Sequence, residues 1–151
     1  ILQLEEKLMQ SESLDFNIHK GRLAPPVNGR ILNRFGRVRS KQLDSYVVSN
    51  GINFKAPKGT PVRAVYSGQV LYTGSLEGYG NLLIIGHGGN YHSVYGHLDK
   101  IIAKTGKNVG RGEVVALSGD SGSIIGETLY FEMRHNGQAI EPTTWFRLAK
   151  K

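Results

Sequence analysis

Closely spaced glycines divide the sequence from residue 29 onward into short apolar segments, and this spacing limits what the chain can fold into. The chain contains 20 Gly, and few of the windows between them are long enough for a helix. Short runs of β-branched and aromatic residues between turn residues are typical of strands. Residues 82–85, an apolar run after a glycine-containing loop, are one example. The sequence therefore predicts an all-β fold.

The same criteria predict the individual strands. They cover residues 31–35, 51–54, 62–66, 69–73, 82–85, 91–98, 113–117 and 128–134, with a basic loop at 36–44 and a flexible loop at 119–126. We expect residues 62–66 and 69–73 to form a hairpin across Ser67-Gly68. Asn136-Gly137 predicts a tight hairpin after the last strand. In residues 91–98, alternation places Tyr91, Ser93, Tyr95 and His97 on one face.

The strand at residues 128–134 is predicted to organise the functional face. Successive side chains point to opposite faces of a strand, so Leu129, Phe131 and Met133 can enter a core. The residues left for the other face are Thr128, Tyr130, Glu132 and Arg134. Two imidazoles at positions i and i+2 of such a face could bind one metal ion, but here the first two positions hold Thr and Tyr.

The N-terminal segment differs from the rest in composition. Residues 1–10 contain strong helix formers, with Ile1, Leu4 and Leu8 near a heptad spacing, and predict a helix. Residues 11–23 have no clear period and are expected to be a linker. We therefore expect residues 1–24 to be the helix and linker left from a longer coiled coil, and residues 25–151 to be the domain. Because the first residue is Ile, we also expect that any targeting segment has been removed.

The overall composition restricts the function. The chain has 151 residues, of which 39% are hydrophobic, and suits one ordinary core. Its net charge is +7, and residues 20–151 hold 18 basic and 8 acidic residues. Such a surface could face nucleic acid, anionic lipid or an anionic cell-wall polymer. The aromatic residues do not interleave with Lys and Arg, which argues against nucleic acid. With no cysteine, thiolate metal sites and a Cys nucleophile are excluded.

A resemblance to a known family rests on seven segments. They are residues 51–54, 59–62, 78–81, 87–88, 95–98, 109–112 and 129–132. In order and spacing they resemble the LytM, or lysostaphin-type, metallopeptidases over about residues 25–146. The resemblance implies a β sandwich of folded antiparallel sheets.

The same resemblance implies where zinc would bind in an active member. The three ligand positions fall on Ser49, Asn53 and Tyr130, and the two catalytic histidines fall on Thr128 and His97, so one of the five residues is kept. A catalytic zinc requires about three donors of His, carboxylate or thiolate type. Elsewhere, His19, His87, His92 and His135 have no spacing that would bring them together on a metal. We therefore predict no cofactor, no metal and no peptidase activity.

The segments after residue 128 also resemble the EnvC-type activators of cell-wall amidases, a degenerate branch of this family. That resemblance implies a periplasmic location in a Gram-negative bacterium. It also implies a groove that binds the regulatory segment of an N-acetylmuramoyl-L-alanine amidase, and a coiled coil that answers to a membrane division complex. Peptidoglycan is a further candidate partner. We assign the groove to Asn50, Asn53, Tyr79, Tyr95, His97, Thr128, Tyr130 and Arg134.

Other functions remain open at this point. An active peptidoglycan endopeptidase would require bound zinc, and a passive peptidoglycan-binding module would leave amidase rates unchanged. A biotinyl or lipoyl carrier domain shares the glycine-turn style but would need a Lys in a turn between strands.

Overall fold

A computed structural model describes residues 16, 18–40 and 45–147 of the chain. The helix predicted at residues 1–10 lies outside these residues. Within the described ranges, no helix has the length and apolar content needed to cross a membrane.

The described part of the chain contains eleven strands and a 3-10 helix at Pro142–Trp145. The strands are β1 (Gly36–Ser40), β2 (Ser45–Ser49), β3 (Ile52–Lys55), β4 (Pro61–Arg63), β5 (Gly68–Leu76), β6 (Gly80–Gly88), β7 (Tyr91–Ile101), β8 (Asn108–Val109), β9 (Val114–Ser118), β10 (Thr128–His135) and β11 (Gln138–Ile140).

Nine of these strands form one antiparallel sheet, and β1 and β2 form a separate ribbon. The main order in the large sheet is β11-β10-β7-β6-β5-β8, with β3 paired to β10, and β9 paired to both β4 and β7. The predicted all-β class is confirmed. This topology places β3, β10 and β7 side by side, and the candidate site is built on them.

The core residues predicted on β10 are confirmed by their burial. Leu129, Phe131 and Met133 are at most 1% exposed and belong to the hydrophobic core. The ring of Phe131 packs edge-on against Phe54 and Tyr95, with centroid distances of 6.3 and 5.3 Å. The other face of β10 is therefore free to carry polar groups.

Part of the segment predicted as a linker belongs to this core. Phe16 and Leu23 are both 0% exposed. The Phe16 ring lies 4.6 Å from the Tyr91 ring and 4.8 Å from the Trp145 ring, centroid to centroid. Leu23 forms a parallel bridge with Phe146. Phe16 and Leu23 therefore contribute to the core although the sequence of residues 11–23 shows no periodic pattern.

The predictions for residues 31–44 were partly wrong. In place of a strand at 31–35, Ile31 forms only an isolated bridge with Phe54. In place of a loop at 36–44, β1 pairs with β2 in an antiparallel hairpin. Residues Tyr46, Val47 and Val48 are 43–74% exposed, so both faces of β2 reach solvent. A ribbon exposed on both sides needs no alternation of apolar and polar residues, which explains why the sequence pattern missed it.

The hairpin predicted across Ser67-Gly68 is also wrong. β4 pairs with β9, about 50 residues later in the chain, and β5 pairs with β6. A turn signal indicates where the chain bends but not which strand comes to lie beside it. In contrast, the hairpin at Asn136-Gly137 is confirmed: their φ angles of 55° and 77° are the left-handed values that a two-residue hairpin turn requires.

Candidate functional site

The floor of the site is formed where β3 lies against β10. Tyr130 is directly opposite Asn53 in the antiparallel register, and directly opposite residues have their side chains on the same face. On the other side of β10, Tyr130 is opposite Gly96 of β7. Two of the positions assigned to zinc ligands by resemblance are therefore neighbours in the fold.

A glycine allows the Tyr130 side chain to lie close to the chain that enters β3. A Cβ atom added to Gly51 would be 2.4 Å from the Phe131 carbonyl oxygen and 2.8 Å from Cζ of Tyr130. Both distances are too short for any side chain. The Ser49 hydroxyl donates a hydrogen bond to the Gly51 carbonyl at 2.7 Å. The absence of a side chain at Gly51 therefore lets the ring of Tyr130 pack directly against the backbone.

A buried carboxylate, Glu132, organises the centre of the site. Its side chain is 1% exposed. Its Oε2 accepts hydrogen bonds from the hydroxyls of Tyr79 (3.1 Å) and Tyr130 (2.5 Å). Its Oε1 accepts one from Nε of Arg134 at 2.7 Å. Three donors around one carboxylate compensate for its removal from water.

These contacts fix the protonation of the donors at neutral pH. Burial, followed by the hydrogen bond to Glu132, raises the pKa of Tyr130 well above its ordinary value. Burial and the charge of Glu132 also raise the pKa of Tyr79. The hydrogen bond to Glu132 raises the pKa of Arg134. Both phenols therefore stay protonated donors, and the guanidinium stays charged.

Asn53 is held by amide and hydroxyl partners. Nδ2 of Asn33 donates to Oδ1 of Asn53 at 3.0 Å, and the Asn53 backbone amide donates to Oδ1 of Asn33 at 2.6 Å. Nδ2 of Asn53 donates to the Thr128 hydroxyl at 3.3 Å. That hydroxyl donates in turn to the carbonyl of Phe54 at 2.9 Å. Both ends of the Asn53 side chain are thus used within the protein.

His97 forms the edge of the site beside Tyr130. Their ring centroids are 5.9 Å apart. Nδ1 of His97 is 2.8 Å from the carbonyl oxygen of Ser121 and donates to it, because a carbonyl can only accept. His97 has a φ of 59°, so the regular alternation along β7 is interrupted at this residue.

The structure brings six of the eight predicted groove residues together. They are Asn53, Tyr79, His97, Thr128, Tyr130 and Arg134. Asn50 is exposed and lies beside Gly51 at the rim. The placement of Tyr95 in the groove is wrong, because its ring packs in the core, 5.3 Å from the Phe131 ring between centroids, and its hydroxyl accepts a hydrogen bond from the Val65 amide at 3.2 Å. The left-handed backbone at His97 separates these two residues onto different faces.

Three residues of the site were not predicted as groove residues. Glu132 was placed on the correct face, but its role as the common acceptor was missed. Asn33 comes from the segment predicted as a strand at residues 31–35, which forms only an isolated bridge, and Ser121 comes from the predicted loop at residues 119–126. The alternation in residues 128–134 could have indicated Glu132, since a carboxylate between Tyr130 and Arg134 on one face has two donors nearby.

The side chains at the implied ligand positions do not fit zinc. Ser49 and Tyr130 offer hydroxyls, and Asn53 offers a neutral amide oxygen; these are poor zinc ligands at neutral pH. The Tyr130 hydroxyl also donates to Glu132. Within the described residues there is no group of three or more His, Cys, Asp or Glu that could hold a metal ion.

The antiparallel sheet and the groove across β3, β10 and β7 define a domain of the metallopeptidase type. Residues 47–142 match peptidase family M23, and the chain belongs to this family.

Relatives in the family differ in their named activities. The chain is 34% identical over 140 residues to the murein hydrolase activator EnvC of Escherichia coli, covering 93% of this chain and 32% of the relative. It is 35% identical over 140 residues to the DD-carboxypeptidase/endopeptidase Mpg of Neisseria meningitidis, covering 93% of this chain and 31% of the relative. It therefore spans about a third of the length of these two relatives.

A solved structure supports the fold assignment. A zinc-containing peptidase from Vibrio cholerae superimposes with a TM-score of 0.75 and 30% sequence identity, covering 82% of this chain and 40% of that one. The same β framework therefore occurs in a protein described as a zinc-containing peptidase.

Proposed function

We propose that this domain is a non-catalytic activator of a peptidoglycan amidase and binds a regulatory segment of that enzyme in the groove. One observation carries the proposal: each side chain at a metal position implied by the resemblance is already hydrogen-bonded within the protein. Tyr130 donates to the buried Glu132, Ser49 donates to the Gly51 carbonyl, and the amide of Asn53 bonds Asn33 and Thr128. We infer that such a groove serves as a binding surface and not as a catalytic metal site. The similarity to EnvC, named as a murein hydrolase activator, supports the same reading.

The groove suits an amphipathic partner segment. The rings of Tyr79 and Tyr130 are 5.6 Å apart in an edge-to-face arrangement and offer apolar area next to hydroxyls. The Arg134 side chain is 29% exposed, so its guanidinium can also pair with a carboxylate of the partner. Aromatic and arginine side chains in a preformed cleft are typical of the residues that dominate binding energy. We propose a helical segment with an apolar stripe and an acidic edge.

In this proposal the wider setting is the cell envelope. The domain acts in the periplasm of a Gram-negative bacterium, and its partner is an N-acetylmuramoyl-L-alanine amidase. The segment before the domain links it to a membrane division complex through a coiled coil. The basic surface favours contact with anionic peptidoglycan. The relative EnvC, named for its action on murein hydrolases, supports this setting.

A zinc-dependent endopeptidase is the second candidate, because the relatives include a DD-carboxypeptidase/endopeptidase and a zinc-containing peptidase. The donor chemistry of Ser49, Asn53 and Tyr130 argues against it. Elemental analysis of protein purified without chelator separates the two candidates. Stoichiometric zinc, or cleavage of peptide cross-links by the purified chain alone, would establish the peptidase and defeat the activator proposal.

The direct test measures release of dye from labelled sacculi by an amidase with and without this chain. We expect stimulation by the unaltered chain and no release by the chain alone. Tyr130→Ala and Arg134→Glu should each weaken the apparent affinity about 30-fold, which corresponds to about 2 kcal/mol for a residue central to an interface.

Two substitutions of the same types serve as controls. Tyr72→Ala removes an exposed tyrosine on β5, three strands from β10 and therefore about 14 Å away. Lys104→Glu reverses an exposed charge in the loop that packs beside β5. Both should stimulate like the unaltered chain. Equal stimulation by all four variants would exclude the groove from the mechanism, and sacculus binding without stimulation would indicate a passive peptidoglycan-binding module.

A further inference from the structure

Two exposed isoleucines lie in the loop between β9 and β10, which comprises residues 119–127. The side chain of Ile124 is fully exposed and that of Ile125 is 58% exposed. We call these two residues the isoleucine tip. Single exposed apolar residues are common on protein surfaces, but two adjacent ones leave a larger apolar area in water. Because Ile124 is not buried at all, the packing of the domain does not account for it.

The base of this loop is held in place by Ser121. Its hydroxyl donates to the Leu98 carbonyl at 2.6 Å and accepts a hydrogen bond from the Asn81 amide at 3.0 Å. A Cβ atom added to Gly80 would be 2.0 Å from the Ser121 carbonyl oxygen, so the two backbones are in direct contact. The isoleucine tip therefore stands on a base that is already ordered, which lowers the entropic cost of binding a partner there.

The same serine joins the loop to the edge of the groove. Its carbonyl oxygen accepts the hydrogen bond from Nδ1 of His97 at 2.8 Å, and the His97 backbone amide donates to the Tyr79 carbonyl at 2.7 Å. Ile124 follows Ser121 by three residues, which span at most about 11 Å. A helix with its side chains is about 10–12 Å across. A helical segment lying in the groove beside His97 is therefore wide enough to reach the isoleucine tip.

The charges around the isoleucine tip favour a protein partner over a membrane. Asp120 and Glu127 lie in the loop itself, and Glu77 lies in the turn before β6. All three are exposed, and none of them forms an ion pair within the described ranges. Lys58, whose backbone amide donates to Glu127 at 2.9 Å, has its ammonium paired with Asp99 at 3.6 Å. Because carboxylates are repelled by an anionic lipid surface, the tip suits an apolar protein surface that carries positive charge.

The two ends of the groove differ in their surroundings. The loop and His97 lie beside Tyr130, whose ring centroid is 5.9 Å from that of His97. Arg134 lies four residues further along β10, a distance of about 13 Å. One end of the groove therefore presents a guanidinium, and the other end is flanked by the isoleucine tip and the three carboxylates.

We propose that the isoleucine tip is a second contact for the amidase segment that the groove binds, and that it packs against an apolar residue of that segment next to a basic one. The inference rests on the proposed function, because the partner is the same enzyme. It also gives the bound segment a direction. The acidic part of the segment lies at Arg134, and the apolar and basic part lies beyond His97.

The test measures binding of the amidase used in the dye-release assay to the 151-residue chain by isothermal titration calorimetry. Ile124→Ser and Ile125→Ser should each weaken binding about tenfold, because each removes apolar area that the complex buries. Ile124→Leu keeps this area and should bind like the unaltered chain. Asp120→Lys should weaken binding about fivefold at low salt and less at high salt, because salt screens the attraction between surface charges.

Ile102→Ser is the matched control and should bind like the unaltered chain. Ile102 is 46% exposed and lies five residues beyond His97, about 17 Å along the chain. Equal affinities for Ile124→Ser, Ile125→Ser and Ile102→Ser would overturn this inference and leave the groove proposal intact, whereas no binding of the amidase by the unaltered chain would overturn both. Binding to phosphatidylglycerol vesicles that is lost in Ile124→Ser would make the tip a membrane contact and would also overturn the inference.

Discussion

At the scale of single residues, the site depends on how one buried carboxylate is compensated. A carboxylate removed from water is costly unless it is paired and hydrogen-bonded. Glu132 meets this condition because Tyr130 and Arg134, on the same strand β10, and Tyr79, in the turn before β6, donate hydrogen bonds to it. The groove surface is thus fixed in place before any partner arrives.

We predict that Glu132→Gln will lower the free energy of unfolding by about 2 kcal/mol, within the range for hydrogen bonds to charged groups. The variant keeps the shape of the side chain but leaves the guanidinium of Arg134 without its ion-pair partner. It should also weaken stimulation of the amidase, because Tyr130 and Arg134 lose their fixed positions. Urea unfolding and the dye-release assay measure the two effects.

Glu113→Gln is the matched control, since Glu113 pairs with Lys107 at the surface at 2.9 Å. Surface ion pairs contribute little, so both stability and stimulation should be close to those of the unaltered chain. If Glu132→Gln were as stable and as active as Glu113→Gln, the carboxylate would not organise the groove.

Strand alternation predicts that Thr128, Tyr130 and Arg134 share one face, and the resemblance adds Asn53 and His97 to the predicted groove. The sequence could not show that Glu132 would be buried, because its third donor, Tyr79, lies 53 residues earlier in the chain. It misplaced Tyr95 because alternation assumes regular extended backbone, and the φ of 59° at His97 breaks that regularity. Single left-handed residues other than glycine leave little trace in a sequence.

At the scale of elements, Phe16 packs into the hydrophobic core although it precedes residue 24. The Phe16 ring packs among those of Tyr66, His87, Tyr91 and Trp145, with centroid distances from 4.6 to 5.4 Å. Apolar contacts of this density indicate a core position. The core therefore includes residues that lie before residue 25, where the sequence analysis placed the start of the domain.

We predict that Phe16→Ala will lower the free energy of unfolding by about 4 kcal/mol, because truncating a buried Phe removes its transfer free energy and leaves a cavity. Urea or thermal unfolding of the 151-residue chain measures this change. Ile18→Ala, at a side chain that is 61% exposed, should have little effect. If Phe16→Ala and Ile18→Ala were equally stable, Phe16 would not be a core residue.

The remaining differences between sequence and structure also belong to this scale. β6, β7 and the Asn136-Gly137 hairpin follow from local patterns, because their partners are adjacent in the chain. β4 pairs with the distant β9, and local turn residues carry no information about such a partner. The ribbon of β1 and β2 was missed because an element with two solvent-facing sides lacks the apolar stripe that marks a strand.

At the scale of the whole molecule, His87 links stability to pH. Its ring is buried, 4% exposed, and neutral, and burial lowers its pKa from 6.5 to about 4. In the unfolded chain the ring takes up a proton at the ordinary pKa. Between pH 6.5 and 4 the unfolded state therefore binds more protons than the folded state, so stability rises with pH across this window.

We predict that this one group lowers the free energy of unfolding by about 3 kcal/mol as the pH falls from 7 to 4, at about 1.4 kcal/mol per unit of pKa difference. In His87→Asn this part of the pH dependence should disappear, even if the variant is less stable at pH 7. The measurement is urea unfolding at half-unit pH steps. An unchanged slope in His87→Asn would refute the assignment.

The burial of Phe16 limits how far an N-terminal linker could extend from the domain. If the linker ended at Leu23, residues 17–23 would lengthen it by about 24 Å when fully extended, at roughly 3.4 Å per residue. Because Phe16 is packed among four aromatic rings, residues 17–23 do not add this length to the linker. A pulling force applied on the N-terminal side of Phe16 would therefore act first on the packing of this ring. It would load the folded domain before it extended residues 17–23.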